Sequence, residues 1–230
     1  MKFSNLIILL AVLTFSVSTA QEKIKSYDFK KGEVLDIILL NQAENPGELF
    51  ERYKKTAFPV AFEYGYQPQP GFGISKLTLG TNKAQAFLIG KWENLEKREG
   101  FLANIAKRVP DFHQQRRDLF PYFGLTYYPM LADLKFSVDT SKYNVATALW
   151  NKPSKKDVSF FKKWKSEVEK SGGKVIITLK NGKSPLGYYY NADVLCIVEW
   201  QNENAFNTFT EKHPLAFYEA LRNVHQFVIQ

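Results

Sequence analysis

Two short runs in this chain repeat one another. Ala86–Trp92 reads AFLIGKW and Val194–Trp200 reads VLCIVEW; each is an apolar run that closes on tryptophan and passes into an Asn-bearing segment, Glu93-Asn94 in one and Gln201-Asn202 in the other. Such a duplication constrains the fold strongly, because each copy must form the same unit and then bury whatever face that unit leaves uncovered. Downstream, each run meets an amphipathic helix pattern with a proline in it, carrying Pro110, Phe112 and Arg116 in the first copy and Pro214, Phe217 and Arg222 in the second. Upstream, Val34–Leu40 and Val145–Trp150 are β-type runs, each followed by a turn and a helix pattern.

The first of these helices starts at Pro46, lines up Leu49, Tyr53 and Ala57 on one face and is expected to stop at Pro59. Its counterpart lines up Val158, Phe161, Trp164 and Val168, spreads Lys155, Lys156, Lys162, Lys163 and Lys165 over the remaining surface, and stops at Gly172-Gly173. A second strand is expected at Val60–Tyr64 in one copy and at Val175–Leu179 in the other, the latter closed by the turn pair Asn181-Gly182. Final strands follow at Phe123–Tyr128 and His225–Ile229.

Each copy therefore reads strand, helix, strand, strand, helix, strand, the ferredoxin-like order of an α+β protein. Residues 21–131 form the first repeat, 132–143 a polar linker and 144–230 the second repeat. One such unit has helices on a single face of its sheet, so two copies can cover each other's open face. On this topology, the strand-ending tryptophans and the proline-bearing helices, the chain resembles the dimeric α+β barrel superfamily over nearly all of residues 32–230, with both units fused in one polypeptide. The resemblance implies two sheets enclosing a cavity. It leaves the activity open, since that superfamily includes cofactor-free monooxygenases, haem proteins such as chlorite dismutases and aldoxime dehydratases, polyketide cyclases, lactone isomerases and stress proteins.

Ahead of the repeats, Lys2, the apolar run Leu6–Val17 and the small residues Ser18, Thr19 and Ala20 read as a secretory signal cut before Gln21, which predicts a periplasmic or secreted protein. The run falls short of the roughly 20 residues a permanent membrane anchor needs. A lone cysteine, Cys196, excludes an internal disulfide framework, so burial must stabilise the fold. Aromatic residues make up 15% of the chain, enough to suggest that some face a ligand. The net charge of +8 suits acidic partners, and export favours an acidic polysaccharide over nucleic acid as the attraction for Lys54-Lys55 and Lys162-Lys163.

Only three histidines are present, His113, His213 and His225, and none stands at metal-ligand spacing from another. His113 shares a helix side with Arg117 and neighbours Arg116, a combination that can move a proton beside a held carboxylate or simply form an exposed basic face. His213 precedes Pro214 at a helix break of the kind that borders pockets. His225 shares a strand face with Phe227 and Ile229 and reads as a satisfied core residue. Alternation along Tyr188-Tyr189-Tyr190 sends the outer two to one face and Tyr189 to the other, while Tyr127 and Tyr128 close the first copy's last strand. Lys91 and Glu199 occupy equivalent positions, facing either the cavity or solvent. Gly71 and Gly73, after Gln67-Pro68-Gln69-Pro70, read as a long hairpin loop that could act as a lid rather than a phosphate loop.

These features predict a cofactor-free lyase of the dehydratase type acting on a small anionic substrate, first an acidic (uronic acid) oligosaccharide. His113, His213 and Tyr189 are the expected catalytic residues, with Arg116, Arg117, Lys91 and Tyr128 binding substrate and no metal. The chain is expected to act as a monomer or homodimer without a membrane anchor. Two rival readings are a haem enzyme with His213 or His225 as axial ligand, and a non-catalytic ligand-binding or stress protein whose cavity is filled by Phe and Tyr.

Overall fold

The duplication reappears as two units with the same strand order. A computed structural model describes residues 23–153 and 158–230. The expected signal and the lysines at 155 and 156 lie outside them. A leading strand β1 (Ile24–Phe29) precedes the first unit: β2 (Val34–Asn41), α1 (Gly47–Glu63), β3 (Tyr66–Pro68), β4 (Phe72–Leu79), β5 (Ala86–Trp92), α2 (Leu95–Arg108), α3 (Phe112–Leu119) and β6 (Tyr122–Pro129). Strand β7 (Leu134–Asp139) leads into the second: β8 (Tyr143–Asn151), α4 (Val158–Lys170), β9 (Lys174–Lys180), β10 (Val194–Trp200), α5 (Glu203–Lys212), a 3-10 turn at Leu215–Phe217 and β11 (Leu221–Ile229).

Within each unit the first strand sits between the last two, giving β6-β2-β5-β4 and β11-β8-β10-β9. Antiparallel pairing of β4 with β11 joins them into one sheet, with Ile74 opposite Ile229 and Leu77 opposite Phe227. The free edges of that sheet meet through two single bridges, Leu125 to Tyr189 and Tyr127 to Lys183. The result is a nearly closed barrel built by one chain, with one seam a paired strand and the pseudo-equivalent seam made by the segment after β9.

The repeat extends to the helix caps. Asn94 and Asn202 have nearly identical backbone angles (φ −163° in both), and each side chain accepts the N–H of the residue three further on, Lys97 or Ala205. That satisfies a donor every helix start leaves free. The helices then lay Phe101 on Trp92 and Phe209 on Trp200, with ring centroids 5.2 and 5.0 Å apart.

Alternation along the strands divides the core into layers. Leu35, Ile37 and Leu39 of β2, Phe87 and Ile89 of β5, Leu195 and Ile197 of β10 and Phe227 and Ile229 of β11 fill the barrel interior. The opposite faces pack on the helices, with Val34 and Trp92 under α1 to α3 and Val145, Cys196 and Trp200 under α4 and α5. The end of the barrel where β2 and β8 begin is closed by the antiparallel ribbon β1–β7, whose Tyr27, Phe29, Phe136 and Val138 join the interior cluster.

Three local expectations need correction. Helix α1 runs through Pro59 to Glu63, so Val60 and Ala61 are helical and the second strand begins only at Tyr66. Burying Val60 and Ala61 on the face already defined by Tyr53 and Ala57 outweighs the one helix hydrogen bond that proline removes. The supposed long hairpin loop shrinks to residues 69–71, since Gln67 and Pro68 lie in β3 and Phe72 and Gly73 in β4, and its Gly71 and Pro70 carbonyls are tied down by Lys25 and Tyr27. The segment 132–143 carries β7, which completes the ribbon with β1.

Candidate functional site

At the barrel end away from the ribbon, where β2 and β8 finish, a cleft of about 510 Å3 opens between Asn82, Tyr122, Trp150, Tyr189, Tyr190 and His225, with Arg222 on its rim. Five chain segments remote in sequence build it. Gly80 takes the turn after β4 at φ +94°, left-handed geometry that only glycine adopts freely, and a Cβ there would lie 2.7 Å from the Val224 carbonyl oxygen. That turn delivers the Asn82 carbonyl to His225.

His225 is 3% exposed and spends both ring nitrogens on protein partners. Nε2 lies 2.9 Å from the Asn82 carbonyl oxygen, which can only accept, so Nε2 carries the proton. Nδ1 is then an acceptor, and the Tyr190 hydroxyl donates to it at 2.7 Å. Burial pushes the imidazole down to about 4, so it is neutral at physiological pH. The Tyr190 phenol is pushed well above its ordinary value by burial and by the nearby phenols of Tyr122 and Tyr128. Two groups so held are poor proton donors and acceptors in the chemical sense, but together they present a fixed, oriented Oη with free lone pairs. Trp150 meets Tyr190 edge-on at 5.4 Å and Tyr122 lies across Gly124, where a Cβ would be 2.5 Å from its hydroxyl.

The residues singled out from sequence are scattered. Tyr189 is 67% exposed at the cleft rim. The alternation expected for the tyrosine run fails because residues 184–193 form no continuous strand: Tyr188 lies against α3, Tyr189 faces solvent and Tyr190 is buried. His113 is exposed on α3, its Nδ1 2.8 Å from the Tyr188 hydroxyl, and burial followed by the charges of Arg116 and Arg117 lowers its pKa. Arg116 is buried beside it, whereas Arg117 is exposed and bonds Gln114. His213 caps the end of α5, its ring stacked 4.9 Å from Phe209. Lys91 and Glu199 lie on the barrel face of their strands, but Lys91 is paired with Glu33 at 2.7 Å and bonded to the Asp28 carbonyl, and Glu199 approaches Lys174 at 4.0 Å, so they do not oppose each other across a cavity. Tyr128 is buried in the barrel interior with its hydroxyl unpartnered by protein. The two residues at the floor of the cleft, Tyr190 and His225, were not chosen as a catalytic pair; the only signal for His225 was its shared face with Phe227 and Ile229, which the structure bears out.

The first unit also carries a buried polar row on its helix side. Asp36 accepts from Trp92 Nε1 at 2.9 Å and from Arg98 Nε at 3.2 Å, and Arg98 lies over the Tyr127 ring. Burial pushes the Asp36 carboxyl up, opposed by Arg98, the Trp92 N–H and the charge of Arg116. At the equivalent places the second unit has Val145 and Phe206, both buried.

Architecture and site together define a fused α+β barrel with a polar, aromatic-walled cleft at one mouth. No family model and no curated protein matches the chain. Among solved structures it is similar to an anthrone oxidase-like protein (12% identity, 89% of this chain and 94% of that one, TM-score 0.48), a mutant chlorite dismutase from Candidatus Nitrospira defluvii (10%, 88% and 92%, 0.45) and a haem-binding protein from Thermus thermophilus (12%, 89% and 93%, 0.39). With so few residues shared, the likeness carries no residue roles across.

The elimination reaction expected from sequence is corrected. Its three catalytic residues share no cleft: His113 lies on α3, His213 at the end of α5 and Tyr189 on the rim. The hollow between the sheets on which it depended is filled by the side chains of the interior cluster.

Proposed function

We propose that the chain binds a small hydroxylated aromatic compound in the mouth cleft, with Tyr190 Oη as the acceptor for the ligand's hydroxyl. The observation that carries this reading is the Asn82–His225–Tyr190 relay: because the Tyr190 proton is committed to His225 Nδ1, the oxygen faces a ligand as an acceptor only. A phenolic O–H is a stronger donor than an aliphatic hydroxyl, and the rings of Trp150, Tyr122 and Tyr189 suit a flat partner. In catalysis this pair can hold and orient a substrate hydroxyl. An imidazole that protonates only near 4 does not serve as a base at neutral pH.

Haem does not fit the residues as they are arranged. His225 would have to release Tyr190 or Asn82 to reach iron. His213 is stacked on Phe209 away from the cleft. Titrating the full chain with phenol while following tryptophan fluorescence tests the proposal: saturable quenching is expected, with affinity about tenfold weaker in Tyr190→Phe, the loss of one hydrogen bond. Equal affinity in Tyr190→Phe and Trp150→Leu overturns it. A Soret band on haemin addition that His225→Gln abolishes replaces it with the haem reading.

A further inference from the structure

Arg116 is a buried cation that has no counter-ion among the described residues. It is 7% exposed, and among the described residues it makes no ion pair; its Nε and one terminal nitrogen both bond the Tyr53 hydroxyl, at 3.1 and 2.8 Å, and its other terminal nitrogen, Nη1, has no partner. Asp36, the carboxylate that feels its charge, is already paired with Arg98. Four rings enclose the guanidinium, those of Phe112 and Phe123 with centroids 4.4 Å away, Tyr188 at 5.0 Å and Tyr53 at 5.9 Å.

Aromatic faces repay part of the desolvation of a cation. They do not satisfy N–H donors, and an unmet buried donor is destabilising unless something binds it. The enclosure is asymmetric in a way that suits a binding site. Phe112 and Tyr53 are buried core residues of the first unit, whereas the outer cover is Tyr188, held by the second unit's irregular segment next to Gly187 at φ +83°, and His113, which is exposed and bonds the Tyr188 hydroxyl. Neither of those two side chains belongs to the buried core.

We propose that Arg116 is the centre of a second ligand site, distinct from the mouth cleft, that takes a small carboxylate on Nη1 beneath the Tyr188–His113 cover. A carboxylate supplies both the missing acceptor and the missing negative charge, and its flat shape fits between rings. Among the described residues the buried arginines are Arg98 and Arg116, both in the first unit, so one site per chain is expected.

The test uses the full chain and sodium acetate, with sodium chloride at equal ionic strength as the control. Acetate is expected to shift the Arg116 Nε–H resonance saturably and to raise the melting temperature by a few degrees at about ten times its dissociation constant, with chloride doing neither. Arg116→Lys is expected to lose the thermal effect while Tyr190→Phe keeps it, which separates this site from the phenol cleft. Should Arg116→Lys fail to fold, the resonance shift of the unmodified chain decides. Absence of a saturable shift, or the same shift with chloride, overturns the proposal and leaves Arg116 as a structural cation among rings.

Discussion

Acidification should destabilise this protein through His225, and the size of the effect follows from the structure. The unfolded chain takes up a proton on that imidazole as pH falls through about 6.5, whereas the folded chain does so only near 4, because burial disfavours the charged ring more than the Asn82 carbonyl favours it. Over that interval the unfolded state binds more protons, so stability rises with pH. The contribution is therefore complete above 6.5, is lost progressively as pH falls, and is gone below about 4. Each tenfold difference in proton affinity is worth about 1.4 kcal/mol, which makes the total roughly 3 kcal/mol. Other groups titrate in the same range, so the useful quantity is a difference. His225→Gln keeps an acceptor and a donor in the site but cannot be protonated. Urea unfolding of both proteins, followed by tryptophan fluorescence between pH 7 and pH 4, should show the wild-type advantage over the variant shrinking by roughly 3 kcal/mol. Parallel loss of stability in the two proteins would refute the burial and hydrogen-bond argument for this residue.

Two further perturbations exploit the duplication. Asp36→Val or Arg98→Phe alone strands a buried charge and should cost about 3–5 kcal/mol in urea unfolding, while the double variant, which copies Val145 and Phe206 of the second unit, should recover more than half of that; no recovery would mean that the two layers are not equivalent. Asn94→Ala and Asn202→Ala should each lower unfolding stability by about 1 kcal/mol and by similar amounts, since the two caps share one geometry.

Much of the candidate site was closed to sequence reasoning for reasons visible in particular residues. Strand periodicity placed His225 on one face with Phe227 and Ile229, a relation set within five residues of chain. Its partners Tyr190 and Asn82 come from other strands' ends, and only barrel closure brings them together. The run Tyr188-Tyr189-Tyr190 misled because alternation holds only inside a strand, and this segment is held to β6 by isolated bridges. His113 and Arg116 were picked as neighbours on a helix, yet one is exposed and the other buried; the ring cage that separates their environments draws on Tyr53, Phe123 and Tyr188 from three other elements. Pro59 misled in the opposite sense, since its local preference to end a helix yields to the burial of Val60 and Ala61.

What the chain's own letters determined is the repeated unit: the apolar runs ending in Trp92 and Trp200, the Asn caps that follow them and the strand and helix order are short-range patterns, and short-range patterns survive in one dimension. Tertiary structure alone decided that the space between the sheets is filled by side chains, that the cleft lies at one mouth, and that Tyr190 meets His225 there. Those outcomes depend on how the two units curl and meet along β4–β11 and β6, and burial and charge pairing are properties of that meeting, absent from any one segment.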